Sequence, residues 1–421
     1  WVTRDVADYI LRLLSKDPAG RPRDAEIVLE DLEKLGRTVA VAKVEKRISD
    51  EEFSERVDAL IVSPDDEAAA KALDEAVELG GDASKVAQAF IMAADQFGAG
   101  DVEKKELRKS LLFRAVRIYE SSLKNHEESE KVYSWIVQLD PNDDLAVAAL
   151  EETRKQLGKW EEVVEMLLGR IELSADAEDR AQTMAELGRI YEEELEDSAQ
   201  AAVAYAQAFC EMPSRSEYAD AVERAAGAST EVLGDAITTL ADATRGDLPT
   251  EAKNQIFLRL GNWYGGKLGR PDAALPCFQA IIATSPAHEG ALDGMASLFR
   301  SSQQYAELGK VLLRRADVAS TPARAREYRC EAAELLDSRL NESAKAKELY
   351  EQILEADPGH MKASDALLKI YEKDGNTAGR IQIMERKSET LKGKERAESL
   401  VRIAELYEVH LKEVNEAVRR Y

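Results

Sequence analysis

This chain of 421 residues is short of the features that most often announce a function. It has no run of about 18 or more apolar residues, so no segment reads as a transmembrane helix. Cysteine is nearly absent. Cys210, Cys277 and Cys330 are far apart and odd in number, which speaks against a disulfide framework. Cys210 and Cys277 sit beside Phe209 and Phe278 and read as small buried hydrophobes. The four histidines, His126, His288, His360 and His410, have no second His or Cys at ligand spacing. A surface or turn role is expected for them, with no metal and no cofactor. Positive charge is also scarce: 57 Lys and Arg face 81 Asp and Glu, a formal charge of −24. Phosphate contacts need clustered Lys and Arg, so nucleic acid is not an expected partner. The acidic balance reads first as a solvated surface and second as one that attracts basic segments. No signal-peptide pattern and no initiator Met open the chain.

Aliphatic and charged residues fill the space left by these absences, arranged at helical spacing. In residues 185–213, AELGRIYEEELEDSAQAAVAYAQAFCEMP, one face carries Leu187, Ile190, Tyr191 and Leu195, and a second carries Ala201, Ala202, Tyr205, Ala208 and Phe209. That is the i, i+3/i+4, i+7 pattern of two amphipathic helices joined at Glu196–Asp197. Small residues at Gly188, Ala201 and Ala208 let the backbones approach, and Pro213 stops the second helix. The segment resembles the tetratricopeptide repeat (TPR). Leu187-Gly188, Tyr191, Ala201, Tyr205, Ala208 and Pro213 follow the family's order, with one extra residue at the turn.

The pattern returns with a period of about 72 residues, as Tyr119, Tyr191, Tyr264, Leu336 and Tyr407 on first helices. The partners on second helices are Tyr133, Tyr205, Phe278, Tyr350 and Tyr421, and Pro141, Pro213, Pro286 and Pro358 close those helices. Such a period marks a solenoid of stacked helical hairpins, two per repeat, and the expected class is an all-α, α-α superhelix. Pro64 to Phe97 matches a second hairpin alone, with Phe53, Val57, Leu60 and Ile61 as the remnant of a degenerate first one. The expected organisation is a tail at 1–36, a linker at 37–48, divergent first repeats at 49–107 and the regular array at 108–421. Tyr421 falls inside a hairpin without a polar capping repeat, so the parent protein is expected to continue.

The opening residues are of another kind. Val6, Ile10, Leu13 and Leu14 share a helical face, followed by SKDPAGRPRDAEIVLEDLEKL. Leu13, Leu14, Lys16, Asp17, Pro18, Arg21, Pro22, Ala25, Val28 and Leu32 resemble the end of a eukaryotic-type serine/threonine protein kinase C-lobe, as found in bacterial signalling kinases. The resemblance covers under a tenth of the chain. It implies that Arg21 is structural, pairing with a glutamate that closes the activation segment, and that residues 1–36 are a two-helix remnant. The Gly-rich loop, the catalytic-loop Asp and Asn, and the metal-binding Asp would all precede Trp1, so the chain itself is not expected to transfer phosphate. VAVAK at 39–43 follows the tail with no Gly-rich loop before it. The linker is too short and charged to cross a bilayer, so the array is expected on the same side as the kinase, in the cytoplasm.

Gly261-Asn-Trp-Tyr-Gly-Gly-Lys267-Leu268 nearly spells a phosphate loop, but Leu268 replaces the magnesium-holding hydroxyl and no strand precedes it. Its residues keep the array's register, so it reads as helix punctuation. Asn341-Glu342-Ser343 reads as a turn, and the many carboxylate pairs as solvated faces. In TPR proteins the first helices line a concave groove that binds peptides. By register that resemblance implies a lining of Arg117, Glu120, Arg189, Glu192, Glu193, Asn262, Glu334, Asp337, Glu405 and Glu408. This mostly acidic set lacks a lysine clamp and suits basic or mixed-charge protein segments. The expected function is therefore a protein–protein interaction scaffold, the docking arm of a serine/threonine kinase. The alternative is an assembly scaffold that self-associates through its repeats.

Overall fold

The computed structural model describes residues 48–97 and 104–421. The kinase-like tail at 1–36 with Arg21, and the linker up to residue 47, lie outside the described residues. Among those described, every regular element is helical, and the fold is all-α, built from TPR-like stacked hairpins. The chain divides into two compact units, Trp1–Gly169 and Arg170–Tyr421.

In the first unit, α1 (Asp50–Val62) is a lone helix packed on the hairpin of α2 (Glu67–Glu78) and α3 (Ala83–Asp95). Phe53 and Leu60 are buried there, while Val57 and Ile61 are half-buried. Next come α4 (Lys105–Ile118), α5 (His126–Leu139) and α6 (Asp144–Gln156), each packed on its predecessor. The division between units falls inside α7 (Trp160–Leu173).

The second unit continues as antiparallel pairs. These are α8 (Ala177–Glu193) with α9 (Ser198–Glu211), α10 (Ser216–Ala226) with α11 (Thr230–Arg245), and α12 (Thr250–Asn262) with α13 (Pro271–Thr284). They are followed by α14 (Glu289–Ser301) with α15 (Tyr305–Val318), and α16 (Pro322–Ser338) with α17 (Ser343–Ala356). The last are α18 (Met361–Lys373) with α19 (Thr377–Thr390), and α20 (Gly393–Leu406) with α21 (Val414–Arg420).

The extra residue at the first-hairpin turn has a defined use. The carbonyls of Tyr119, Tyr191, Tyr264, Leu336 and Tyr407 accept from the N–H six residues on, at 3.0, 2.7, 2.7, 2.8 and 3.0 Å. This closure is one residue wider than a Schellman turn and satisfies carbonyls that a helix end leaves orphaned. Lys124, Glu196, Gly269, Asn341 and Lys412, one residue before each donor, take the left-handed conformation. Second hairpins use a narrower closure. Lys159, Gln304 and Asn376 donate to Arg154, Phe299 and Tyr371 at 2.9, 2.9 and 2.8 Å, across left-handed Gly158, Gln303 and Gly375. Between hairpins, His288 and His360 cap α14 and α18: their Nδ1 atoms accept from the N–H of Ala291 and Ala363 at 3.2 Å. Two of the four solitary histidines thus serve as helix caps.

Burial differs between the columns and along them: Tyr119 and Tyr133 are both buried, and Tyr421 is exposed. Tyr205, Phe278 and Tyr350 are buried, whereas Tyr191, Tyr264, Leu336 and Tyr407 on the first helices are half-buried. Tyr205 lies against Gly188, where an added methyl would come within 2.8 Å of its ring. Phe278 is wedged between Gly261 and Gly294 in the same way. Cys277 and Cys330 are buried and Cys210 is half-buried. Burial pushes the thiols of Cys210 and Cys277 up to about 12 and about 11, far from the thiolate form that reacts.

Candidate functional site

The acid one place after each first-helix column is tied to the hairpin itself. Glu120, Glu192 and Glu408 accept from the hydroxyls of Tyr133, Tyr205 and Tyr421 at 3.0, 2.9 and 3.2 Å. For Tyr133 and Tyr205 the carboxylate supplies the partner that a buried phenol needs, whereas the Tyr421 pair is exposed. Where the aromatic is Phe278, with no hydroxyl, the matching residue is Gly265, and Leu298 occupies the space a side chain there would need. Glu192 also holds Arg224 of α10, whose Nε and second guanidinium nitrogen lie 3.0 and 2.9 Å from its two oxygens. Arg224 holds the Glu192 carboxyl below the usual carboxylate range, with Tyr205 adding to the effect. Burial, then Glu192, pushes the Tyr205 phenol up to about 12.

Several of the other expected groove residues have local partners. Arg117 pairs with Asp74 at 2.8 Å, and Arg189 with Glu193 at 3.3 Å along one helix face. Asp337 accepts from the Ser343 hydroxyl at 2.6 Å. Asn262 and Glu334 are exposed. Glu405 is exposed and lines an open groove among the last helices.

That groove lies between α18 and α20, with α19 at its base, and holds about 1040 Å³. Met361, Leu368, Met384, Leu391, Leu406 and Val409 give it an apolar floor. Lys369 and Glu372 stand on the α18 wall, and Glu395, Arg402 and Glu405 on the α20 wall. Sequence register from first hairpins alone missed α18, because it is the first helix of a second hairpin and lies outside the tyrosine columns.

The same position one repeat earlier, among α14, α15 and α16, holds only about 170 Å³. Arg315 of α15 pairs with Asp293 of α14, as Lys387 of α19 pairs with Asp365 of α18 at 2.5 Å. The difference stands eight residues before the column. There α16 carries Tyr328, whose hydroxyl accepts from Arg315 at 2.8 Å and whose ring lies 4.1 Å below the guanidinium. At the equivalent place α20 carries Ser399. The tyrosine ring lines and narrows the first groove, the smaller serine lines the second, and α19 and α20 pack less closely than α15 and α16.

The phosphate-loop lookalike is built into the packing. Trp263 is buried and donates through Nε1 to Glu223 at 2.8 Å, and Lys267 pairs with the same carboxylate at 3.3 Å. Among the described residues, no group of three or more His, Cys, Asp or Glu could hold a metal ion. Nor is any described helix long and apolar enough to cross a membrane.

No family model matches this chain, and no curated protein matches it. Among solved structures it is similar to a tetratricopeptide repeat protein from Parabacteroides merdae, with 15% identity over 57% of this chain and 90% of that one, at a TM-score of 0.27. That comparison assigns no family. The hairpin order, the shared turn closures and the buried aromatic columns are what define this chain as an all-α array of TPR-like hairpins.

Proposed function

We propose that this chain is a protein–protein interaction scaffold that takes partner peptides into the groove between successive first helices. The observation that supports this most is the open α18–α20 groove, an apolar floor inside a charged rim on an otherwise strongly acidic, wetted protein. Arg117, Arg189, Glu192, Glu223 and Lys267 are paired within the fold, and Lys369, Glu395 and Glu405 line solvent-facing walls.

The scaffold is further proposed to be the docking and regulatory arm of a cytoplasmic serine/threonine protein kinase. The motif from Leu13 to Leu32, running directly into the array, supports that half. Two experiments test the two halves separately. Reading the coding sequence upstream of Trp1 should reveal a catalytic-loop Asp and a DFG triplet, and their absence removes the kinase. Panning a random peptide display library on the full chain should return specific binders. A library that returns none removes the peptide-docking reading, and a concentration-dependent rise in mass by light scattering would favour self-association instead.

A further inference from the structure

We infer that binding is concentrated in the α18–α20 groove and that its occupant is an amphipathic helix of a partner protein, acidic on the flank facing α18 and basic on the flank facing α20. This rests on the interaction-scaffold reading and narrows it to one site and one kind of ligand.

The site follows from the contrast between two equivalent grooves. Tyr328 over Arg315 leaves about 170 Å³ between α14 and α16. One repeat later, where α20 carries Ser399, the groove holds about 1040 Å³. The exposed floor of the open groove is costly unless something covers it. Met361 and Val409 are 50% and 66% exposed. Methionines supply the adaptable apolar surface that takes up helices of varied sequence.

The helical form follows from the walls. A strand or extended peptide needs N–H and C=O partners along its length. Here both walls and the base are α-helices, whose interior backbone groups are already paired with one another. A helix brings its own backbone bonds and asks only for apolar contact. The α20 residues on the groove run from Glu395 to Leu406, which at 1.5 Å per residue is roughly 17 Å, room for about three helical turns.

The flanks follow from charge. On the α18 side Glu372 is paired with Arg380 at 3.2 Å, and Lys369 is exposed without such a neighbour. On the α20 side exposed Glu395 and Glu405 outnumber Arg402. A helix with acids toward α18 and bases toward α20 meets opposite charge on both edges, which fixes its direction as well as its face.

The test uses the full chain and a fluorescein-labelled synthetic 16-residue helix with leucines at i, i+4, i+7 and i+11, glutamates along one flank and lysines along the other. Fluorescence anisotropy should show saturable binding. Met384→Arg at the half-buried base and Ser399→Tyr, which writes the closed groove's residue into the open one, should each weaken it by about tenfold or more. Lys369→Glu should weaken it less, and a peptide with a lysine facing that position should recover the loss. Circular dichroism of each variant reports whether it keeps the wild-type helix content. Equal binding of a proline-interrupted peptide of the same composition overturns the proposal, as does binding indifferent to both groove substitutions. If display-selected extended peptides bind and neither substitution weakens them, the scaffold reading stands and this one falls. If no peptide of either kind binds, both fall. A dimer that Met384→Arg dissolves would give the groove to a second copy and also overturn it.

Discussion

The groove among α14, α15 and α16 and the groove among α18, α19 and α20 are the same place in consecutive repeats, yet one is shut and the other open. Their helices are matched in order, their α15 and α19 cations both reach an aspartate on the preceding helix, and His288 and His360 cap the same turn. Tyr328 against Ser399 is one difference in register, and α15 and α16 also pack more closely on each other than α19 and α20 do. In a repeat protein the backbone spacing is set by core columns that every unit shares. The accessible surface is set by half-buried positions that each unit can vary at little cost to its neighbours.

The largest expected effect tests the shared part. Phe278→Ala and Tyr350→Ala, in the hairpins just before the closed and open grooves, should each lower stability by roughly 3–5 kcal/mol in urea unfolding. A loss below ~1 kcal/mol at either site would mean the two repeats are not held by equivalent cores. Tyr328→Ala comes next. It removes a ring stacked at 4.1 Å on Arg315 and the hydroxyl Arg315 donates to, for a cost of about 1–3 kcal/mol. It should also open the first groove in a crystal structure. If the groove stays shut, Tyr328 is not what closes it.

An earlier repeat uses a similar cation–ring contact: Arg224 lies 5.5 Å over Tyr205 and is held by Glu192. Glu192→Gln should cost about 1–2 kcal/mol at neutral pH. Because Arg224, then Tyr205, depresses the Glu192 carboxyl in the folded chain, its contribution is present above the ordinary glutamate value of about 4.3. It is lost as pH falls through the folded value. Wild type and variant should therefore converge in acid, and a constant gap down to pH 2 would show that the pairing does not act through charge. The smallest effect lies in the turns. Glu196→Gly should stabilise by up to about 1 kcal/mol, because Glu196 holds a left-handed conformation that costs a non-glycine residue. Asn341→Gly, at the equivalent turn between the two grooves, should change little, since asparagine tolerates that conformation.

Much of the array was legible before any coordinates. The columns at Tyr205, Phe278 and Tyr350, the prolines at 213, 286 and 358, and the glycines that receive the rings are local signals with a long period. The extra residue at the first-hairpin turn was visible as an insertion, though not its six-residue closure. Register placed the acids at 120, 192 and 408 on first helices but could not show that they turn back onto their own tyrosines. A within-chain signal existed: wherever the second-helix column carries a hydroxyl, an acid stands thirteen residues earlier, and Phe278 has Gly265 instead.

What the sequence decided by itself is the cadence: which side chains face the core, where each helix starts and stops, and that hairpins must stack to bury their apolar faces. These follow from spacing along one helix and from turn chemistry, which act over a few residues. What only the tertiary structure decided is which surface is free. The open groove draws on α18, α19 and α20 together, from Met361 to His410. Its volume depends on how three helices splay and on whether a tyrosine or a serine stands between them, a relation among distant residues that no single helical period encodes.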